Sequence, residues 1–300
     1  MKSFKKIVTH DGVFHADEVT ACAFLRHFGE IVRTRDPEIV NDPDNLVLDV
    51  GGIHDPENNR FDHHQKGGAG ARPDGVPYSS VGALLASKPH REFILRHHNI
   101  SAGDMDEAYE LLEKELIRGI DAVDNGYRPA GLAKHPCPSM TVSRVVSTMN
   151  PGWYEPKSQS INRFYEAVLL MGSVIQNLLG EISARKYVRE AFEENPHATK
   201  VKFLSRYLPW QTVAVREYPE LLYVVFPSAS AQGRWMVQAV PKEVGKYDLR
   251  KPFPEAWWAK KPEELTQMTG IEGLTFVHAN GFIASAKTFA VAMKVAALAV

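Results

Sequence analysis

The chain has 300 residues, of which 44% are hydrophobic and 24% charged. This composition excludes disordered and fibrous proteins, and because single cores stop growing at about 250 to 300 residues, two domains are expected. The net charge of -1, from 35 basic and 36 acidic residues, excludes a global positive field that would attract nucleic acid or anionic membranes. Any site for a polyanion must therefore be a local patch.

Cysteine usage and the two ends of the chain predict a compartment. Cys22 and Cys137 are too few for a disulfide framework, and no Cys-x-x-Cys pair is present. The N-terminal stretch MKSFKKIVTHDG lacks the apolar segment of a secretory signal. The C-terminal apolar stretch FAVAMKVAALAV is too short to span a membrane and contains Lys294. We expect a cytoplasmic protein with no membrane partner.

The first 130 residues alternate strand-like and helix-like segments. The runs KKIVTH, EIVRTRD and NLVLDVGG predict strands, and the near-continuous apolar run of the third is typical of a strand covered on both faces. Apolar residues at helical spacing mark ADEVTACAFLRHF, PYSSVGALLASKPH and DMDEAYELLEKELIRGIDAVD. This alternation predicts an α/β fold with a mostly parallel, helix-covered sheet, which binds ligands at the carboxyl ends of its strands.

The second half of the chain differs from the first in composition and in the pattern of predicted elements. Residues 126–153 are rich in proline and glycine and predict an irregular connection, and a long helix is predicted from about Ser158 to Glu193. The runs WQTVAVREY, ELLYVVFPS and RWMVQAV predict a meander of strands, and a terminal helix follows. We therefore expect one domain over residues 1–145 and a smaller α+β domain over 146–300, with the long helix in the second.

Histidine and aspartate residues occur in four segments of the first domain, each at a predicted strand end or loop. The segments THDGVFHADE, LVLDVGG, RFDHHQ and RGIDAVDNG supply His10, Asp11, His15, Asp17, Asp49, Asp62, His63, His64, Asp121 and Asp124. Any one aspartate of this kind would ordinarily serve a turn or a helix cap. Four such segments in one α/β domain would converge at one edge of a parallel sheet, which predicts a shared polar site.

The residue types of these segments indicate metal binding. Mixed carboxylate and imidazole ligands suit Mn²⁺, Zn²⁺, Fe²⁺ or Mg²⁺, and the lack of usable thiolates argues against a closed structural zinc site. There are enough candidate ligands for two ions. Two ions about 3.5 to 4 Å apart that share a carboxylate bind phosphoryl oxygens and generate hydroxide near neutral pH. The segments thus predict hydrolysis of a phosphate ester.

The same motifs resemble a known family. H…HAD, LDVGG, FDHH and GIDAVDNG are similar to motifs of the DHH phosphoesterase superfamily, named for its Asp-His-His triplet. More closely, THDGVFHADEVTACA, DVGGIHDPENNRFDHHQ, GIDAVDNG and FVHANGFIASAKTFAVAMKVA resemble the MYG (melanocyte-proliferating-gene) family, whose members are similar to metal-dependent 3′ to 5′ exonucleases. The resemblance implies a DHH-type catalytic domain with two divalent ions, Mn²⁺ being the first candidate.

The resemblance also implies metal-binding roles for single residues. Asp49 would bridge two ions. His10 and His15 would bind one ion, and Asp17 and His63 the other. His15 stands where the superfamily has an aspartate, and this loss of one negative charge favours a transition metal over Mg²⁺.

Two further motif positions carry implied roles. His64 would act catalytically on the substrate phosphate as a cation or hydrogen-bond donor, and Asp62 would orient a histidine rather than bind metal directly. The fourth motif leaves two alternatives. Asp124 precedes Asn-Gly as the superfamily's fourth aspartate often precedes a small polar residue and glycine, whereas Asp121 follows the helix more closely. We favour Asp121 slightly and retain both as ligands.

The second domain would supply substrate contacts by the same resemblance, because the superfamily's C-terminal domain grips the substrate with a glycine-rich stretch that contains a histidine. Phe-Ile-Ala-Ser at 282–285 stands where the MYG family is expected to have Phe-Ile-Gly-Gly. His278, Ser285 and Lys287 are the candidate contacts, with Lys287 expected at a helix start. The alternative is an ordinary loop histidine before a helix N-terminus. Arg144 is a candidate phosphate clamp.

Three functions remain open. The first is a metal-dependent phosphodiesterase that removes nucleotides from single-stranded RNA or DNA. In that reading Trp235, Trp257 and Trp258 could stack bases, although such residues more often pack in cores. The second is a hydrolase of a small phosphorylated substrate, such as pyrophosphate, a dinucleotide or a short oligonucleotide. The third is a metal-binding or nucleic-acid-binding protein without activity. The oligomeric state is open, with a homodimer as one candidate.

Overall fold

A computed structural model describes residues 3–127, 140–194, 196–229 and 233–300. Contacts between Cα atoms divide the chain into two compact units, Met1–Gly180 and Glu181–Val300. Each unit contains one five-stranded sheet together with helices. The prediction of a mixed α/β protein is therefore confirmed.

The sheet of the first unit is mostly parallel, as the sequence predicts. Its strands are β1 (Lys6–Thr9), β2 (Glu30–Arg33), β3 (Leu46–Leu48), β4 (His54–Asp55) and β5 (Arg60–Phe61). They are arranged in the order β2-β1-β3-β5-β4. All neighbours are parallel except β4 and β5, which form an antiparallel pair at one edge. The carboxyl ends of β1, β3 and β5 thus lie side by side.

Helices surround this sheet. They are α1 (Ala16–Leu25), α2 (Pro37–Val40), α3 (Ser80–Ala86), α4 (Lys88–His97), α5 (Met105–Leu112), α6 (Arg118–Asp124) and α7 (Val142–Thr148). A π-helical turn, Glu113–Ile117, joins α5 to α6. All ten residues of α1 are buried, including the two acids in its first turn. The burial of α1 explains why its sequence shows no polar face.

The long helix α8 (Ser160–Glu193) begins two residues after its predicted start. The boundary between the two compact units falls inside α8, between residues 180 and 181. The sequence predicts a domain boundary between residues 145 and 146. The difference has a physical reason, because residues 146–180 contact the first sheet and its loops. The side-chain amide of Asn150 bonds both the N–H and the carbonyl of Phe14, and the Tyr165 hydroxyl donates to the Ile31 carbonyl.

The segment Lys157–Glu193 is long and apolar enough to cross a membrane by length and composition. This is weak support for a span, since core helices of soluble proteins meet the same criterion, and 39% of its most apolar stretch is buried. Its buried residues recur every three or four positions, as expected for a helix packed along one face. They include Phe164, Val168, Met171, Ile175 and Leu179.

The second unit contains a largely antiparallel sheet with helices. Its strands are β6 (Val201–Phe203), β7 (Tyr223–Pro227), β8 (Trp235–Ala239), β9 (Leu274–Val277) and β10 (Ile283–Ala286), in the order β6-β7-β8-β10-β9. Its helices after α8 are α9 (Gln211–Glu217), α10 (Pro262–Thr269) and α11 (Phe289–Ala299). Only β6 and β7 pair in parallel. The terminal helix α11 buries Ala292, Val295 and Ala296 in the core, as predicted.

Three local predictions differ from the structure. WQTVAVREY forms the helix α9, because Trp210, Val213 and Ala214, at i, i+3 and i+4, face an apolar core. Residues 126–153 include α7, whose start is capped by the Thr141 hydroxyl accepting from the Arg144 N–H. The rest of that connection, residues 128–139, lies outside the described residues. Residues 283–286 form the strand β10 rather than a helix start.

Candidate metal centre

Three neighbouring strand ends supply the centre of the candidate site. His10 follows β1, Asp49 follows β3, and the triplet of Asp62, His63 and His64 follows β5. Asp49 adopts a positive φ of 56°, and Gly51 and Gly52 after it also have positive φ. The chain therefore turns sharply after β3, and the carboxylate of Asp49 faces the two neighbouring strand ends.

Histidine nitrogens surround the carboxylate of Asp49. Its Oδ2 lies 3.3 Å from Nε2 of His10, and its Oδ1 lies 3.3 Å from both Nε2 of His63 and Nδ1 of His64. The Ser80 hydroxyl at the start of α3 donates to the same Oδ1 over 3.2 Å. Ligand atoms about 2.0–2.2 Å from one ion lie roughly 3.0–3.5 Å apart, so these separations suit shared metal ligation.

The first turn of α1 adds two fully buried acids. The Glu18 carboxylate accepts from the His15 N–H and lies 3.1 Å from Nε2 of His10. Glu18 thus forms a potential ligand group with His10, His15 and Asp49. Glu18 was not among the predicted ligands. The available signal was a second acid beside Asp17 at the buried start of an apolar helix, which is more acidity than a helix cap requires.

The end of α6 brings Asp124 into the cluster. Its Oδ2 lies 3.0 Å from Nε2 of His63, and it forms a potential ligand group with His15 and Asp17. A third group consists of Asp49, His63 and His64. The three groups overlap at Asp49 and at His15, which is the arrangement that two ions with shared ligands require.

Asp121, the slightly favoured alternative, lies outside these groups. Its carboxylate accepts from the Ser79 hydroxyl at 2.5 Å, from Arg72 at 2.7 Å and from the Gly82 N–H at 3.2 Å. A Cβ at position 82 would lie 1.9 Å from Oδ2 of Asp121, so only glycine fits there. Arg72 also binds both carboxylate oxygens of Glu113, at 2.6 and 2.8 Å. The structure thus gives Asp121 the contacts of a structural ion pair and places Asp124 with the candidate ligands.

The charges of the cluster are unbalanced. Burial by itself lowers the pKa of His10, but the carboxylates of Asp49 and Glu18 outweigh it and raise that pKa to about 9. His63 is affected in the same way by Asp124 and Asp49, and its pKa rises to about 10. Burial acts to raise the pKa of Asp49, yet its histidine neighbours hold it well below the usual value. The site therefore carries excess negative charge that favours a cation.

The surroundings of Asp17 indicate whether the residues of the cluster fit a metal ion. Its side chain is fully buried, and within the part of the chain that the structure describes neither carboxylate oxygen has a hydrogen-bond partner. Burial and then the neighbouring carboxylates, Asp49 first, raise its pKa well above the usual value. Buried polar atoms without partners are costly, and a bound cation would satisfy the Asp17 carboxylate, so the residues fit a metal ion.

The remaining members of the triplet lie beside the candidate ligands. Oδ1 of Asp62 accepts from the His64 N–H and lies 2.8 Å from Nδ1 of its ring, while Oδ2 accepts from the Gly52 N–H at 2.6 Å. The side chain of His64 is 62% exposed. Asp62 thus fixes one ring nitrogen of His64, and the other is available to a ligand.

Two cavities adjoin the cluster. One, of about 930 Å³, is lined by His15, His63, His64, Asp124 and Arg144 among others. The other, of about 580 Å³, is lined by His10, Arg35, Asp49, Asp62 and His64. His64 borders both cavities. Arg144, at the start of α7, therefore lines the same cavity as four residues of the cluster.

The predicted contacts of the second domain lie in the second compact unit. Nδ1 of His278 accepts from the Asn280 N–H, and the His278 N–H donates to the Ile283 carbonyl in the turn between β9 and β10. Ser285 is buried on β10, and Lys287 is an exposed residue two positions before α11. The tryptophans considered for stacking pack in this unit, Trp257 in the core and Trp235 and Trp258 against it.

Comparison with known proteins places the chain in a family. The profile MYG1_exonuc, described as "Uncharacterised protein family (UPF0160)", matches residues 6–300. The "MYG1 protein" of Dictyostelium discoideum is 32% identical over 94% of this chain and 92% of its own length. The "MYG1 exonuclease" of Homo sapiens is 32% identical over 94% of this chain and 82% of its own length.

A relative in fission yeast and one solved structure complete the comparison. The "MYG1 protein C694.04c" of Schizosaccharomyces pombe is 32% identical over 99% of this chain and 97% of its own length. A pGpG-specific phosphodiesterase, PggH from Vibrio cholerae, covers 97% of this chain and 99% of its own at 10% identity, but with a TM-score of 0.26. That score is too low to support an argument. The family match and the curated relatives suffice: this chain belongs to the MYG1 family.

Proposed function

We propose that this protein is a metal-dependent phosphodiesterase that acts as an exonuclease on single-stranded RNA or DNA, with 3′ to 5′ polarity. The observation that carries the proposal is the buried Asp17 carboxylate, which lies in a cluster of imidazoles and carboxylates and has no hydrogen-bond partner in the described ranges of the chain. Several curated relatives are named exonucleases, which supports the same reaction class.

The proposed ligands are the residues that the structure brings together. They are His10, His15, Asp17, Glu18, Asp49, His63 and Asp124. This set of nitrogen and oxygen donors suits Mn²⁺ first, with Mg²⁺, Zn²⁺ and Fe²⁺ as alternatives, and its overlapping groups suit two ions. When bound, divalent ions supply hydroxide near neutral pH and offset the charge of the phosphate.

Residues beside the ligands would position the substrate. His64 borders both cavities, and Asp62 holds its Nδ1, so His64 in its cationic form would donate a hydrogen bond from Nε2 to a phosphate oxygen. The guanidinium of Arg144 lines the larger cavity and would bind a neighbouring phosphate. His278, Ser285 and Lys287 remain candidate contacts of the second unit.

Incubation with a 5′-labelled single-stranded oligonucleotide and Mn²⁺ tests the proposal. A ladder of progressively shorter labelled products is expected, whereas digestion from the 5′ end would release labelled mononucleotide directly. Asp49→Asn should abolish the ladder and lower the metal content together. The exposed residue Asp106 provides a control, since Asp106→Asn should change neither.

Pyrophosphate in the same buffer separates the alternatives. Turnover of pyrophosphate without any shortening of the oligonucleotide would replace the exonuclease with a hydrolase of small phosphorylated molecules. Metal binding without turnover of either substrate would contradict both enzymatic functions. An active Asp49→Asn protein would refute the bridging role of Asp49.

A further inference from the structure

A further cavity adjoins the candidate metal centre. It has a volume of about 490 Å³ and is lined by the loop after β1 and by residues 150–160. Gly12 and Val13 of that loop also line the cavity that contains His10, Asp49 and His64. The two cavities are therefore neighbours that meet at Gly12 and Val13.

The indole of Trp153, which lines this cavity, is strongly exposed. Trp153 is 96% exposed, and its ring meets that of the neighbouring Tyr154, which is 74% exposed, edge to face at 5.8 Å. Val13 is also mostly exposed. Large apolar side chains grouped at one exposed place mark binding sites more often than isolated ones do. The faces of the Trp153 indole are accessible to a flat ligand.

The turn that carries Trp153 is held in place by hydrogen bonds. The Glu155 carboxylate accepts from the Gly152 N–H at 2.9 Å and from Arg163 at 2.6 Å. Asn150, just before the turn, makes two hydrogen bonds to the backbone of Phe14. The indole is therefore presented by a fixed turn, which lowers the entropy lost when a ligand is bound.

The opposite wall of the cavity is fixed by a half-buried arginine, Arg33. Arg33 donates to the carbonyls of His10 and Gly12, at 3.1 and 2.5 Å, and to the Ser160 hydroxyl at 2.9 Å. One guanidinium thus joins a proposed metal ligand to the start of α8, where the cavity ends. The position of the cavity relative to the metal centre is set by these bonds.

We propose that this cavity binds the base of a nucleotide whose phosphate lies at the metal centre, with the base stacked on Trp153. The inference rests on the proposed function and narrows it to substrates that carry a base. The volume of the cavity, about 490 Å³, lies within the range of roughly 300–1,000 Å³ that is typical of sites for small ligands. Stacking on an indole accepts all four bases, because each has a π face.

Adenosine 5′-monophosphate and ribose 5-phosphate test the subsite, because they carry the same phosphate and differ in the base. Their affinities for the Mn²⁺-loaded protein are measured by calorimetry. We expect the wild type to bind the nucleotide about tenfold more tightly, and Trp153→Ala to lose most of this preference. Trp153→Phe should retain part of it. Tyr247, 94% exposed in the second unit, provides the matched control, since Tyr247→Ala should keep the full preference.

Several outcomes would overturn the subsite. They are equal affinities of the wild type for both ligands, no binding of either, and an unchanged preference in Trp153→Ala. A fourth outcome is a Trp153→Ala protein that keeps the preference for the nucleotide but sediments as a smaller species than the wild type. In that case Trp153 would cover a second copy of the chain rather than bind a base. The proposed function fails separately: a protein that shows the preference through Trp153 but never shortens an oligonucleotide would retain the subsite and lose the exonuclease activity.

Discussion

Two groups of buried acids lie in the first unit, and they differ in their partners. Asp121 accepts from Ser79, Gly82 and Arg72, and Arg72 also pairs with Glu113. In the candidate metal centre, Asp17 is as deeply buried, yet neither of its oxygens has a hydrogen-bond partner among the described residues, and Nε2 of His63 lies 3.9 Å from its Oδ2. Asp121 and Asp17 are both buried acids, and they differ in the hydrogen-bond donors that contact them.

The hydrogen-bond partners of a buried acid can thus distinguish an acid that stabilises the fold from an acid that binds a ligand. A buried carboxylate with three donors is part of the folded structure, and loss of a donor should weaken the fold. A buried carboxylate without donors destabilises the protein unless a cation binds, so its removal should affect binding instead. Four experiments can break or sharpen this distinction.

The largest effect on stability is expected from Arg72→Met. Arg72 is 7% exposed at its side chain, and its loss leaves Asp121 buried without its cation. We expect the free energy of unfolding to fall by about 3–5 kcal/mol, measured by urea denaturation in the presence of a chelator. Arg96→Met removes an exposed pair with Glu92 and should cost under about 1 kcal/mol. Equal losses in the two variants would contradict the distinction.

Asp17→Asn should weaken metal binding and activity rather than the stability of the fold. We expect the metal content to fall and kcat/KM on a single-stranded oligonucleotide to drop by about 10²–10³-fold, because a ligand is lost. The free energy of unfolding of the metal-free protein should stay equal or rise, since the buried Asp17 side chain has no hydrogen bond to lose among the described residues. Unfolding in chelator and metal analysis measure both. A metal-free Asp17→Asn protein as unstable as Arg72→Met would break the comparison.

Asp62→Asn is expected to have an intermediate effect. Asparagine can still accept from the Gly52 N–H, but it no longer stabilises a positive charge on His64. We expect kcat/KM to fall by about 10- to 100-fold with unchanged metal content. Steady-state kinetics beside metal analysis test this prediction. If Asp62→Asn loses metal as Asp17→Asn does, Asp62 is a ligand rather than a positioning residue.

The smallest effect concerns His90, a buried histidine with neutral partners. Its Nδ1 lies 2.8 Å from the Ser87 hydroxyl and its Nε2 lies 2.9 Å from the Asn59 side-chain oxygen. Burial lowers its pKa from 6.5 to about 4. The folded state thus binds the proton less well than the unfolded state, and stability present above pH 6.5 is lost as the pH falls toward 4.

The expected loss from His90 over that range is about 1–2 kcal/mol. Urea denaturation at a series of pH values measures it, and His90→Gln should flatten the dependence by this amount. His98, whose pKa burial also lowers to about 4, remains in the variant and accounts for a residual slope. An unchanged slope in His90→Gln would show that His90 does not contribute.

The convergence of the four segments could be predicted from the sequence. Parallel strands end at one edge of a sheet, so residues that follow β1, β3 and β5 meet there whatever their distance along the chain. Strand-like runs identified β1 and β3 correctly, whereas the two-residue strand β5 was not predicted. The short run at Gln211–Glu217 could not be resolved in the same way, because its β-branched residues favour a strand while the surrounding core stabilises a helix.

The roles of Asp121 and Asp124 could not be separated by sequence. Residues three apart lie close together on a helix, so periodicity gives both the same general direction. Arg72 distinguishes them in the structure, from a position 49 residues away in the chain. The π-helical turn before α6 adds a shift in phase that periodicity does not reveal. Long-range pairing of this kind becomes visible only in three dimensions.

The positive φ at Asp49 restricts which amino acids that position accepts. Aspartate, asparagine and glycine adopt this backbone conformation at small cost, whereas longer or branched side chains are strained there. Asp49→Glu would keep the charge and still disturb the turn, so charge similarity is a poor guide to tolerance. Relatives that have lost the metal but kept the fold should therefore carry asparagine or glycine at this position. The residue at this one position would then distinguish active members of the family from inactive ones.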